Sequence, residues 1–513
     1  MAIIQAGSAN VASQIVPAFN VIIQPPGVAL NGAPTNTLGM VGGASWGPVN
    51  TPVVFGGTAD GSQAFGPVTN RPFDMLTHVS VAALQGCQSF IGVRVTDGTD
   101  TAAAFGLATA SGQAIGWGSR YTGVVGNATT ATLSAGSQAG TWRCTLSNSI
   151  LGVTEVFDNL SGAAGTNAVW VAMAAAINNG QGPGRPPSVL VVAGAGASTS
   201  APTATTYSLG GGADGVSGLT AAMLIGQDGL SRTGMYALRK QPISVLDLVD
   251  MTDWTQCSVV NALAASEGWY APIGGPAGQS ISTAVAAAPQ PGYGVKLLFG
   301  DALYWSDQVN NLTRLVNPSA FAAGLLATLD PNQSSLNKPL TGIVGSQRAG
   351  QASSGQTATF AFAEKQALFQ AGIDLIGNPS PGGAYWSVLG GYNASGNAAT
   401  RLDAYTRMTN FLATTLQGGM GAYIGQPITT TLFGNARASL LGLLSNMVQD
   451  GYLDPTYGTP YSVVCDASNN PQTQTSLGYL RADVQVRYEG TVQNFNVTLA
   501  GGQTVVVTTT SGS

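Results

Sequence analysis

A single histidine, His78, limits the chemistry open to this 513-residue chain. Any Ser/His/Asp or Cys/His relay must pass through it, and multi-histidine metal sites are excluded. One nucleophile-elbow pattern is present: GASWG, Gly43 to Gly47, centres on Ser45, and Asp60, Asp74 and His78 follow in Ser, Asp, His order. An elbow requires a helix directly after the serine, whereas Pro48, Pro52 and a glycine-rich stretch follow here. A tight turn between strands is therefore expected at Ser45. His78, inside FDMLTHVSVAALQG, is expected on a short amphipathic helix, satisfied by a hydrogen bond instead of acting as a base. A serine hydrolase using Ser45 and His78 stands as the enzymatic alternative. VLVVAGAGAST, Val189 to Thr199, resembles a strand entering a dinucleotide loop, but Thr199 replaces the third glycine and a Ser/Thr/Pro loop follows where a helix should begin. GGGADG, Gly210 to Gly215, lacks the Lys and Ser/Thr of a phosphate-binding loop. Cys87, Cys144, Cys257 and Cys465 are scattered without CxxC spacing, so reduced, partly buried thiols in a cytosolic protein are expected. The sum of these signals predicts no enzyme, no cofactor and no metal.

The elements that would position such residues sit in an unusual composition. Only 8% of residues are charged, against about 25% in an ordinary soluble domain. Polarity comes from Ser, Thr, Asn, Gln and 70 glycines. A surface with so little like-charge repulsion suits copies packed against one another in a polymer. A secreted β-rich adhesin or surface-layer subunit is the other reading of that composition. A net charge of -5 and the lack of any basic residue before Arg71 argue against nucleic-acid or anionic-membrane binding. The missing positive n-region also argues against a secretory signal peptide. No run of 18 apolar residues is present to span a bilayer.

The length gives room for about three or four domains. Residues 1 to about 25 are uncharged, with β-prone Ile3, Ile4, Val21, Ile22 and Ile23 but no helical period. Such a segment can pair with another chain's sheet edge or form a disordered tail. Short strands punctuated by Gly and Pro follow from Gly27. Residues 112–205 shift to Thr, Ser, Ala and Gly, with strand-like TWRCTLSN and ILGVTEVFDN and a short helix near NAVWVAMAAAINNG, which predicts an inserted β-rich domain. Residues 206–345 alternate buried strands with helical periods, as in an α/β unit. Two amphipathic helices come next: Leu402, Tyr405, Met408, Leu412 and Leu416 form one stripe, and Phe433, Ala436, Leu440, Leu444 and Met447 the other. Their polar faces are expected to carry Arg401, Asp403, Arg407, Arg437 and Asp450. Near the end, Leu480, Ala482, Val484, Val486 and Tyr488 alternate with Arg481, Asp483, Gln485 and Arg487, the period of a half-buried strand. Phe495, Val497 and Leu499 in FNVTL, then Val505, Val506 and Val507, extend this uncharged β-prone character.

PGV, a strand ending in VG, GPVNTPV and FG resemble the opening of the contractile tail sheath proteins of bacteriophages. The segment LFGDALYWSDQVNNLTRLVNPSAFAAGLLATLD is similar to the close of that family's α/β domain, although the usual tryptophan after the aspartate is absent beyond Asp330. The C-terminal order of helix, GYL, YSVVCD, SNNPQ turn, alternating strand and FNVTL resembles the family's end over residues 400–500. Of the family's basic pair before the first helix, only Arg407 stands nearby.

The resemblance implies a multidomain α+β and α/β fold. It would hold a tube-proximal α+β domain built from both N- and C-terminal parts, an α/β domain and an inserted β-rich outer domain. The expected divisions are an arm at 1–25, sheath core at 26–111, outer domain at 112–205, α/β domain at 206–345, tube-proximal domain at 346–500 and a second arm at 501–513. Residues 1 to about 24 and 490–510 would act as strand-exchanging arms between copies. The implied partners are further copies in hexameric rings and a helical sheath, a tail tube, and baseplate and terminator proteins. The implied setting is a virion tail assembled in the bacterial host cytoplasm. Arg407 or Arg437 is expected to face the tube.

Overall fold

The computed structural model describes residues 32–351, 360–379, 383, 385–497 and 499, together with the backbone of Ala2–Gln5 and Asn20–Ile23. Its centre is a sheet of largely buried, mostly apolar strands, with Arg94 and Asp247 as buried charges among them. Val245–Leu248, Leu38–Gly42 and Phe90–Arg94 run parallel, and Val53–Phe55 joins the outer edge antiparallel. A second parallel set, Ala271–Gly274, Val295–Leu298 and Ile373–Asp374, continues the first. The join is made by backbone bonds from Leu246 N to Tyr270 O and from Tyr270 N to Ser244 O, each 3.0 Å.

Alternation sends side chains of the three parallel strands into two cores. Leu38, Met40 and Phe90 point into one core with helices Met75–Leu84 and Pro318–Leu326, while Val41, Ile91 and Leu246 point into another with helix Cys257–Glu267. Parallel strands covered on both sides need near-continuous apolar sequence, as LGMVG and FIGVR supply. Helices Met75–Leu84 and Pro318–Leu326 approach closely at Gly324, where a Cβ would lie 2.6 Å from Ala82 Cα. Pro318 at the first turn and the Asn317 side chain, which accepts from Ser319 N, start the second helix.

The parallel sheet draws three strands from residues 38–94, although the compositional reading placed the α/β unit at 206–345. Parallel pairing requires long crossovers, so strands far apart in sequence become neighbours.

The inserted region is a β-sandwich with its own core. One sheet orders Val191–Ala195, Gly112–Thr122 and Ala102–Thr109; the other orders Val153–Leu160, Trp142–Asn148, Thr129–Ala135 and Thr205–Ser208. Helix Ala168–Asn179 closes it with Trp170, Met173 and Ile177 inward. The sandwich starts at Ala102, ahead of the compositional shift at 112, because Ala102–Thr109 is the hairpin partner of Gly112–Thr122.

Helices Asp403–Met420 and Thr430–Gln449 form the last layer with the antiparallel pair Tyr461–Val464 and Asp483–Val486. Met408, Leu412, Leu440, Leu444, Met447 and Val463 make its core, with Leu416, Val484, Val486 and Tyr488 packed against it.

Candidate assembly interface

The C-terminal hairpin is a single ladder. Tyr461–Val464 pairs with Asp483–Val486 from Tyr461 opposite Val486 to Val464 opposite Asp483, and this sheet has two strands. Val484, Val486 and Tyr488 pack onto the helices as the alternation predicts. Leu480 and Ala482 instead line an open groove of about 500 Å³ with Leu416, Met420, Ile424 and Ile428. Beyond the hairpin, Phe495, Val497 and Leu499 are 84%, 73% and 88% exposed. Gln493 accepts a hydrogen bond from the Tyr392 hydroxyl at 2.7 Å, which ties the root of this segment to the body.

At the other end, Ile3 and Ile4 stand opposite Val21 and Ile22 in a parallel pairing, and Gln5 opposite Ile23. Among the described residues this ribbon takes no strand from another sheet. A two-stranded ribbon alone is marginally stable in water. Val505, Val506 and Val507 lie outside the described residues.

Arg407 is internal, which corrects its expected place on a polar helix face. Its Nη1 donates to Asp330 O and Gln333 O at 2.7 and 2.9 Å, and its Nη2 to Leu326 O at 2.9 Å and to Leu329 O. Those carbonyls include the C-terminal end of helix Pro318–Leu326, where orphan acceptors need donors. Burial pulls the guanidinium down to about 10, with the Asp403 charge opposing that shift. Asp403 is equally hidden: it accepts from Ser334 Oγ at 2.7 Å and lies 3.7 Å from Lys296 Nζ, which pairs with Asp374 at 2.6 Å. Periodicity marks a non-apolar position without telling solvent from a neighbouring domain, so the sequence reading placed both outside. Arg437 is exposed and donates to Val463 O at 3.3 Å.

The catalytic alternative fails on geometry. Ser45 Oγ donates to Asp214 Oδ2 at 3.0 Å, while His78 bonds Asp247 through Nδ1 at 2.6 Å and Asp250 through Nε2 at 3.2 Å. Both imidazole nitrogens are therefore occupied by carboxylates. Burial alone would depress the imidazolium, but Asp247 and Asp250 lift it to about 10, which removes the neutral base. Bends and a bridge follow Ser45, as the prolines predict.

Ser45 belongs to the neck of the insertion. Asp214 also accepts from Val124 N at 2.6 Å and from Arg71 Nη1. Arg94 Nη1 donates to Gly47 O and Thr122 O, and its Nη2 to Asp214 O. Gly123, at φ +127°, lets the chain pass where a Cβ would lie 2.0 Å from Ser45 O. Neither Arg94 nor Asp214 carried a sequence signal, since the partners of each lie far away along the chain.

The glycine-rich loops hold no phosphate cradle. Thr199 N and Ser200 N both donate to Ser111 Oγ, at 3.1 Å, so a side chain occupies these donors. Among the described residues no group of three or more His, Cys, Asp or Glu could hold a metal ion. The four cysteines are buried and free, and burial pushes the Cys144 and Cys257 thiols up to about 12. No helix among the described residues is long and apolar enough to cross a membrane.

No sequence-family model matches the chain, and no curated protein matches it. Solved structures do. The sheath tail protein of Listeria innocua superposes with a TM-score of 0.59 at 12% identity, covering 86% of this chain and 91% of that one. The sheath tail protein of Desulfitobacterium hafniense gives 0.58 at 12% identity, covering 88% and 93%. The chain has the tail sheath fold. A third match, to the helical sheath of the anti-feeding prophage in its contracted state, gives 0.53 at 11% identity and spans 95% of this chain and 99% of that one. The tail sheath fold thus extends over the sandwich as well as the parallel sheet and the C-terminal layer.

Proposed function

We propose that this chain is the repeating subunit of a contractile tail sheath. Copies would stack as hexameric rings into a helix around an inner tail tube, and contraction would drive the tube through the host envelope during genome delivery. The observation that carries this reading is the near end-to-end correspondence with the contracted helical sheath, 95% of this chain against 99% of that one.

The surface chemistry supports it. Head-to-tail contacts between identical copies do not close on themselves and generate rings or helices. The N-terminal ribbon and the exposed Phe495, Val497 and Leu499 are suited to add strands to a neighbour's sheet edge, with main-chain bonds for affinity and alternate side chains for specificity. Ile3, Ile4, Val21, Ile22, Ile23, Val505, Val506 and Val507 complete the proposed arms. Contraction is then a rigid-body rotation of subunits hinged at those arms, out of an extended state held by a kinetic barrier. Baseplate and terminator proteins would bound the sheath at its two ends, in a virion tail assembled in the host cytoplasm.

Electron micrographs of the purified protein test the proposal: rings or tubes are the expected outcome, and a dispersed monomer at every concentration would overturn it. Arg437, exposed on helix Thr430–Gln449, is the proposed tube contact. Arg437→Glu should weaken capture of the tube protein in pull-downs, and equal capture would remove this residue from the interface.

A further inference from the structure

A cleft of about 1000 Å³ opens where loop 332–338, helix Phe362–Gln370 and segment 491–495 meet. Lys338, Lys365 and Arg401 line it, and no Asp or Glu does. In a chain of net charge -5 with 18 Lys and Arg, that concentration of cations is out of proportion. Several cations elsewhere are paired with carboxylates, as Arg314 is with Asp307 at 2.9 Å and Lys296 with Asp374 at 2.6 Å. Every Asp and Glu of the chain lies among the described residues, and Lys338 and Arg401 have none of them within salt-bridge distance. The Arg401 guanidinium lies 4.3 Å from the centroid of the Tyr392 ring, and its Nη2 is buried without a hydrogen-bond partner. Phe362 and Phe495, 79% and 84% exposed, stand at the rim.

Arg and aromatic side chains are enriched at protein-recognition surfaces, and the uniform sign of the cleft's cations selects an anionic group. We propose that this cleft receives an exposed carboxylate of a second copy of the chain. The inference rests on the sheath reading and adds an ionic contact to it. Three observations favour a second copy. The molecule is acidic overall. Asp60, Asp253, Asp450 and Glu489 are exposed and outside its ion pairs. Segment 491–495, the root of the proposed C-terminal arm, forms one wall of the cleft, so an arm-linked neighbour is delivered to this place. On so charge-poor a surface few other ionic contacts compete, and this one sets the register between copies.

The test uses the full-length Lys338→Glu/Arg401→Glu protein, with folding checked by circular dichroism and assembly followed by sedimentation and negative-stain imaging from about 50 to 500 mM NaCl. Wild-type protein should need a higher concentration to assemble as salt rises. The double variant should need about tenfold more protein than wild type at low salt and lose most of that salt dependence. Lys338→Glu alone, which leaves Arg401 on Tyr392, should show a smaller shift in the same direction and serves if the double variant does not fold. Folded variants that assemble at the wild-type concentration with the wild-type salt slope overturn the inference while leaving the sheath reading intact. Wild-type protein that forms neither rings nor tubes overturns both.

Discussion

Two residues that look catalytic in sequence are structural for reasons their partners make plain. Ser45 spends its hydroxyl on Asp214, and His78 has both ring nitrogens on carboxylates. A serine-reactive fluorophosphonate should leave the protein unlabelled; stoichiometric labelling at Ser45 would refute this assignment. His78 also makes a pH prediction. Its native value of about 10 stands above the ordinary 6.5, so the folded state holds a proton that the unfolded chain releases first. The resulting stabilisation is complete below pH 6.5 and is lost as pH climbs through 10. Wild-type unfolding midpoints should therefore fall between those limits more steeply than those of His78→Gln. The variant itself should be weaker at neutral pH by on the order of 3–5 kcal/mol, because Asp247 is left buried without its cation. Parallel pH profiles would count against the ion pair.

At the scale of elements, helix Asp403–Met420 joins two layers instead of lying on one. Its apolar stripe, Met408 and Leu412, enters the C-terminal core. Its polar side chains reach the other way: Arg407 to the end of helix Pro318–Leu326, Asn410 Nδ2 to Trp269 O at 2.8 Å and Thr406 Oγ1 to Tyr293 O at 2.8 Å. The C-terminal layer is thus bolted to the parallel sheet, and in the proposed sheath the motion between copies would fall to the arms. Deleting residues 1–24 or 490–510 should leave a cooperatively unfolding subunit that no longer assembles. Long sheaths from both truncations would show that the arms are dispensable. Packing inside the layer makes a separate prediction: Leu440→Ala, at 2% exposure, should cost about 2–5 kcal/mol in denaturant unfolding.

At the scale of the whole molecule, the sandwich is inserted through a closed neck. Thr101 and Ala213 exchange backbone bonds of 3.0 and 3.1 Å, so the chain leaves and returns at one point. Replacing residues 102–212 by a short glycine linker should leave the two cores of the parallel sheet intact, measured by hydrogen exchange; loss of protection there would mean that the insertion supports the body. The sequence by itself determined what local periodicity and local covalent geometry control: the strands TWRCTLSN and ILGVTEVFDN, the two C-terminal helices, the turn at Ser45 and the scarcity of charge that suits a polymer. The family resemblance read from local motifs led to the fold for the same reason, since those motifs are runs of consecutive elements. Tertiary structure alone decided that strands from residues 38–94 enter the parallel sheet, that Asp403 and Arg407 are buried, and that Lys338, Lys365 and Arg401 share one cleft. Each of these depends on which segments distant in sequence become neighbours, and a side chain's pattern along its own helix or strand records that it is polar without recording what will cover it.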